Sequence, residues 1–157
     1  MPSRLVKAVV YEPLKMRGLC ARAYPGHAHG CPNLGQRDTC PPRAPLFEDA
    51  YINRDVIVIW NHFDLDAHVQ DMRRRHPAWS ERQLYNCLYW QGTARAQLRQ
   101  AINDCILTHR QGQVDIIRCP EAQGVNVTET LREMGVDIQW PPTTVATQVA
   151  LAAKRGF

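Results

Sequence analysis

The run Asp55-Val56-Ile57-Val58-Ile59-Trp60 decides the fold that the sequence predicts. It has strand length and no polar alternation, which is typical of a central strand covered on both faces. Val114-Asp-Ile-Ile-Arg-Cys119 is a second run of this kind, and Leu5–Tyr11 and Val136–Trp140 are further predicted strands. The chain therefore has enough strand segments for a small sheet.

Helical patterns separate these strands. Hydrophobic periodicity and capping residues predict helices over Asp64–His76, from Ser80 to about Ile106, over Val127–Met134 and over Thr143–Lys154. Gly92 and Thr93 weaken the second helix, where we expect a kink or break. This alternation predicts an α/β fold with a small, open, mostly parallel sheet flanked by helices. We expect a single domain over residues 1–157.

Composition narrows the class of protein. The 157 residues are 45% hydrophobic, which is enough for a core, and no apolar run approaches membrane-spanning length. Met1–Lys7 lacks the apolar region of a signal peptide, so we expect a cytoplasmic protein with reduced thiols and no membrane partner. The net charge of +4 permits an anionic partner but does not require one.

The segment Glu12–Pro45 has little periodicity and is predicted to be a long loop that a metal orders. It carries three of the six cysteines, Cys20, Cys31 and Cys40, among glycines and prolines. Because few apolar neighbours surround them, these thiols are predicted to be ligands. The alternative, small buried core residues, fits Cys87 and Cys105 better, since both lie on the apolar face of the second helix.

The wide spacing of the three cysteines differs from the close pairs of common zinc sites and suits the larger [4Fe-4S] cluster. Cys119-Pro120, at the end of a predicted strand, is the natural fourth ligand, although a strand-end core residue is the alternative there. His27 and His29 leave a mixed cysteine and histidine zinc site open. Asn61, His62, Asp64 and Asp66 are interpreted as capping or hydrogen-bonding residues.

Glu121 would stand beside the cluster if Cys119 is a ligand. Its carboxylate would then act as an acid or base, or occupy an open iron site. We therefore take Glu121 as the candidate catalytic residue. No phosphate-binding loop, dinucleotide-binding glycine motif or Gly-x-Ser-x-Gly turn is present.

Several arginines accompany aromatic residues on the predicted helices and suggest a surface for nucleic acid or another anionic partner. They are Arg73, Arg74, Arg75, Arg82, Arg95, Arg99 and Arg110, with Tyr85, Tyr89 and Trp90 nearby. A solvated helix face is the simpler interpretation. A zinc-stabilised module that binds nucleic acid is accordingly the alternative function.

Cys31-Pro-Asn-Leu-Gly, followed by Cys40-Pro-Pro, resembles a signature of small bacterial and archaeal predicted metal-binding proteins. Arg118-Cys-Pro-Glu-Ala122 and Gly135-Val-Asp-Ile138 are similar to that family's C-terminal region. The resemblance covers about half of the chain and implies that Cys20, Cys31, Cys40 and Cys119 are ligands of an iron–sulfur cluster.

Two departures from the family pattern limit what the resemblance implies. The gap between Cys20 and Cys31 is longer than in the family, and the closely spaced ferredoxin-like cysteines of many members are missing. The second departure argues against a second cluster and a simple electron relay. No established activity comes with the family, so the sequence predicts a redox or cluster-dependent catalytic role with an unidentified small-molecule substrate or redox partner.

Overall fold

A computed structural model describes residues 3–23, 27–108 and 113–156 of the chain. In these ranges the strands are β1 (Ser3–Val6), β2 (Val56–Trp60), β3 (Phe63–Asp64), β4 (Asp115–Ile117), β5 (Val145–Ala146) and β6 (Val149–Ala153). The helices are α1 (Pro13–Leu19), α2 (Phe47–Ala50), α3 (Leu65–Arg75), α4 (Glu81–Leu84), α5 (Gln91–Thr108) and α6 (Val127–Glu133). Two 3₁₀ turns, Cys87–Tyr89 and Pro120–Gln123, complete the regular elements of the described chain. None of the described helices is both long enough and apolar enough to cross a membrane.

The fold is mixed α/β, but the predicted parallel sheet is wrong. The main sheet has four strands in the order β1-β2-β6-β4, and every neighbouring pair is antiparallel. A second, two-stranded sheet pairs β3 with β5, also antiparallel. Sequence patterning gave the β2 and β4 segments correctly, but it did not give the strand that lies between them.

That strand is β6, within the segment Thr143–Lys154 that was predicted to be a helix. All five of its residues are buried, and their side chains alternate between two cores. Val149, Leu151 and Ala153 enter one core, whereas Ala150 and Ala152 face the other beside α5. Alanine favours helices locally, but burial on two faces of a sheet overrides that preference. The terminal helix and its crossover connection are therefore absent.

Other predicted elements differ in their extent. Val136–Trp140 forms no strand. Of the predicted strand Leu5–Tyr11, only Leu5 and Val6 lie in a strand, at the end of β1. The long second helix begins at its predicted Ser80 capping box but breaks before Gly92, at the 3₁₀ turn Cys87–Tyr89. Within that break the Asn86 side chain accepts a hydrogen bond from the Leu88 amide. The local capping group therefore sets the position of the break.

Three hydrophobic clusters hold these elements together. One face of the main sheet packs on Phe47 of α2 and Leu131 of α6. The opposite face packs on α5, including Ile102 and Cys105. A third cluster joins β3, α3, α4 and the start of α5, where the Phe63 and Trp90 rings stack with centroids 5.4 Å apart.

The segment Glu12–Pro45 is not loop throughout, because α1 forms its first turns. The Glu12 amide donates a hydrogen bond to the Gly124 carbonyl (2.8 Å), and Met16 of α1 is buried. Gly124 has φ +93°, and a Cβ there would lie 2.7 Å from Pro13 Cα, so only glycine permits this approach. The N-terminal helix is thereby docked against the 3₁₀ turn that follows Cys119.

Candidate metal centre

Cys20 and Cys31 lie side by side although ten residues separate them in the chain. Cys20 caps the C-terminus of α1, and its carbonyl accepts a hydrogen bond from the Cys31 amide (2.8 Å). Gly30 makes this approach sterically allowed: its φ is +85°, and a Cβ there would lie 2.7 Å from the Cys20 carbonyl oxygen. The first two predicted ligands therefore share one backbone junction.

Cys31 and Cys40 are the ends of a compact loop. The Gly35 amide donates to the Pro41 carbonyl (2.8 Å), which closes the loop across its middle. Next to it, the Ala44 amide donates to the Cys40 carbonyl (2.9 Å). These bonds fix the backbone around Cys40 and connect it to buried Ala44.

Cys119 reaches the same neighbourhood from the main sheet. It follows β4 and immediately precedes the 3₁₀ turn Pro120–Gln123, and its carbonyl accepts a hydrogen bond from the Ala122 amide. Because α1 docks on this turn, the end of β4 is brought to the cysteine-bearing N-terminal segment.

Arg17 connects all three cysteine-bearing segments. Its Nε–H donates to the Ala122 carbonyl (3.0 Å), and a terminal guanidinium nitrogen donates to the Ala44 carbonyl. Arg17 lies one turn before Cys20 on α1, Ala44 is bonded to Cys40, and Ala122 to Cys119. A single half-buried guanidinium thus links the segments of Cys20, Cys40 and Cys119.

The electrostatics of the thiols show the same proximity. Burial raises the pKa of the Cys20 thiol, and the nearby Cys31 and Cys40 sulfurs raise it further. Partial desolvation by surrounding protein atoms raises the pKa of the Cys119 thiol, although its side chain is exposed, and Glu121 and Cys40 add to this increase. Cys20 therefore lies within electrostatic range of Cys31 and Cys40, and Cys119 within range of Cys40.

Positive charge lies in the same neighbourhood. The Arg17 guanidinium lowers the pKa of the Cys20 thiol, whereas Arg95 and Arg37 lower that of the Cys119 thiol. In both thiols these contributions are smaller than the effect of burial. The arginines partly offset the accumulation of negative charge that four thiolates and a carboxylate would create.

Glu121, the candidate acid or base, follows the predicted ligand Cys119 by two residues. Its carboxyl interacts electrostatically with both Cys20 and Cys119. Burial raises the pKa of Glu121 above its ordinary value. A carboxyl group of raised pKa next to thiols has the character expected of an acid or base candidate.

The donor set is chemically suited to a thiophilic metal, because the cysteines of the described chain are all free. In residues 3–23, 27–108 and 113–156, no three His, Cys, Asp or Glu side chains are arranged closely enough to hold a metal ion.

The other cysteines and the histidines have separate places. Cys105 is buried in the core beside α5, as predicted, but Cys87 is exposed on its 3₁₀ turn and not part of an apolar helix face. His27 and His29 both lie on the surface. His62 accepts a hydrogen bond from the Trp60 indole N–H (3.1 Å).

The predicted capping or hydrogen-bonding roles are confirmed for Asp64 and Asn61. The Asp64 side chain caps α3 by accepting from the Ala67 amide (2.9 Å). Asn61 is buried and connects the Ala94 carbonyl of α5 to the Gln148 amide. The residues after β2 therefore have structural partners.

The predicted arginine and aromatic surface is interrupted by ion pairs and burial. Arg73 pairs with Glu81 (2.6 Å), and both Arg74 and Arg75 pair with Asp71. Trp90 is buried under α5, where it stacks on Phe63. Arg110 lies outside the described residues. The predicted surface for an anionic partner therefore stays a prediction, with Arg73, Arg74 and Arg75 already paired to carboxylates.

A cleft of about 510 Å³ opens beside Cys119 and Glu121. One wall is α5, and the other walls are the end of β4, the start of α6 and the segment from Ile138 to Val149. A smaller cavity of about 310 Å³ is also lined by Cys119, together with Asp38 and Tyr51. Cys119 therefore lines two cavities of ligand size.

Sequence reasoning proposed the cysteines and Glu121 but did not point to Arg17 or to the cleft. The cysteines carried a compositional signal, namely thiols among glycine and proline. Arg17 carried none, because its role depends on two carbonyls more than twenty residues away in the chain. The cleft depends on the antiparallel topology, which was not predicted.

Comparison of the chain with protein-family models, with curated proteins and with solved structures gave no match. The resemblance of Cys31–Pro42 to a metal-binding signature therefore stays a prediction.

We predict that Arg17→Lys destabilises the protein and weakens metal binding at the candidate centre. Lysine keeps the positive charge but lacks the planar fork that reaches two carbonyls. We expect a loss of about 1–3 kcal/mol in the free energy of unfolding and a marked fall in metal loading. Denaturant unfolding and metal analysis measure the two effects. Arg22→Lys, at an exposed position, is the matched control, and unchanged loading in Arg17→Lys would contradict the role of Arg17.

Proposed function

We propose that this protein binds one [4Fe-4S] cluster through Cys20, Cys31, Cys40 and Cys119, and that the cluster serves a redox or cluster-dependent catalytic role. The observation that carries the proposal is that four free thiols lie on three chain segments that Arg17 and backbone hydrogen bonds hold together. When bound, such a cluster supplies electron transfer or, at an iron with an open position, Lewis-acid chemistry.

The backbone around the thiols suits this role. Pro32, Pro41 and Pro120 each follow a predicted ligand directly, and each removes an N–H group and fixes the chain direction there. Gly30 and Gly35 have positive φ, which permits the tight turns between ligands. These features limit the conformations of the loop that would hold the cluster.

The cleft supports a catalytic role over a purely structural one. Cys119 and Glu121 both line it, so a small molecule in the cleft would lie next to the proposed cluster. A structural site needs no such access, whereas a catalytic metal site keeps an open position. The proposed role of Glu121 is to hold or transfer a proton at its carboxyl in that cleft.

The ligand assignment is tested with single serine variants reconstituted anaerobically with ferrous iron and sulfide. We expect Cys20→Ser, Cys31→Ser, Cys40→Ser and Cys119→Ser each to lose the iron–sulfur visible absorption and most of the bound iron and sulfide. Cys87→Ser and Cys105→Ala are the controls and should load normally, because Cys87 is exposed elsewhere and Cys105 lies in the core.

The outcomes of this series separate the candidates. Normal loading of Cys119→Ser would remove Cys119 from the ligand set. Colourless protein that takes up about one zinc ion per chain, lost in the same four variants, would contradict the cluster and favour the zinc-stabilised module.

Glu121→Gln should retain the cluster. Because four thiolates complete the proposed ligand set, we expect iron and sulfide content and the visible spectrum to match the wild type. Glu133→Gln, on the exposed end of α6, is the matched control. Loss of the cluster in Glu121→Gln alone would show that this carboxyl supports the centre and would overturn its assignment as an acid or base.

A further inference from the structure

Three arginines converge on the cleft beside Cys119. Arg95 and Arg99 lie four residues apart on one face of α5, and Arg118 follows β4 directly. All three side chains are exposed, so solvent and small solutes can reach them. Two separate elements thus direct positive charge into one concave space.

In the part of the chain that the structure describes, these arginines are not paired with a carboxylate, although Arg95 lies within electrostatic range of the Cys119 thiol. Within the described chain, none of the three forms an ion pair with a carboxylate or donates a hydrogen bond to a protein acceptor. Elsewhere the pattern differs, since Arg73 pairs with Glu81 and Arg155 with Asp115. Glu121 is the one acidic residue among the described residues that line the cleft. The cleft therefore carries an excess of positive charge.

The remaining lining gives the cleft the character of a small-molecule site. Its volume of about 510 Å³ lies in the usual range for such sites. Leu98, Val127 and Val149 supply an apolar floor, and the largely exposed Trp140 stands among the lining residues. Gln148 contributes a buried side-chain oxygen without a hydrogen-bond partner, which suits a ligand hydroxyl or N–H donor.

We infer that this cleft binds a small organic molecule with more than one negative charge, held by Arg95, Arg99 and Arg118. The planar guanidinium forks match the paired oxygens of carboxylate and phosphate groups. The proposal that an anion binds here rests on the cleft alone. The assignment of that anion as a substrate of the neighbouring cluster rests on the proposed function. A nucleic acid is not the favoured ligand, because the charge is confined to a concave site.

Isothermal titration calorimetry with malate and with inorganic phosphate, each on the full chain, tests the inference. Malate represents carboxylate ligands and phosphate represents phosphoryl ligands. The probe that binds with the higher affinity identifies the ligand group. We expect each of Arg95→Gln, Arg99→Gln and Arg118→Gln to weaken binding of that probe at least about tenfold. Arg82→Gln, exposed on α4, is the matched control and should bind normally.

A second measurement locates the bound anion. The probe should change the tryptophan fluorescence of the wild type, and Trp140→Phe should remove that change while binding persists by calorimetry. No binding of either probe, or equal binding in the three arginine variants, would overturn the inference. Steeply salt-dependent binding of RNA or DNA that the same variants abolish would overturn it in favour of a nucleic-acid site.

The two proposals fail separately. If the protein binds the anion but takes up no iron, the anion site is supported and the cluster proposal is contradicted. If the protein loads the cluster but does not bind the anion, the cluster proposal is supported and the anion site is contradicted.

Discussion

The guanidinium of Arg17 is the interaction on which the candidate centre depends. It donates hydrogen bonds to the carbonyls of Ala122 and Ala44, which belong to segments far apart in the chain. Arginine is suited to this task because its charge is permanent and its donors are fixed in a plane. Without these bonds, the segments of Cys40 and Cys119 would no longer be connected through Arg17 to α1, which carries Cys20 at its C-terminus. The assembly of the thiols is thus a tertiary property and not a local motif.

The sheet supplies the second half of the site. Because β6 lies between β2 and β4, the end of β4 is carried to the sheet edge, where Cys119 begins the turn that receives α1. On the neighbouring face, α5 packs against Ala150 and Ala152. The small size of these alanines lets α5 approach the sheet, and Arg95 and Arg99 of that helix line the cleft. One topology therefore positions both the thiols and the arginines.

Local signals predicted the elements whose determinants are local. The sequence pattern predicted the buried run of β2, the Asp64 cap of α3 and the Ser80 capping box of α4. The β6 strand was not, because its alanines favour a helix until both faces are buried. Cys20, Cys31 and Cys40 were proposed as ligands from composition, because thiols among glycines and prolines have few apolar neighbours. Glu121 was proposed from its place after Cys119. Arg17 and Arg118 were not assigned roles, because only the folded chain gives them neighbours.

The content of iron and acid-labile sulfide in the wild-type chain, purified without oxygen, tests the central claim most directly. Convergence of Cys20, Cys31, Cys40 and Cys119 on one [4Fe-4S] cluster predicts about four irons and about four sulfides per chain, with brown colour. Protein that holds about one zinc ion without sulfide, or no metal after anaerobic purification and reconstitution, would contradict it.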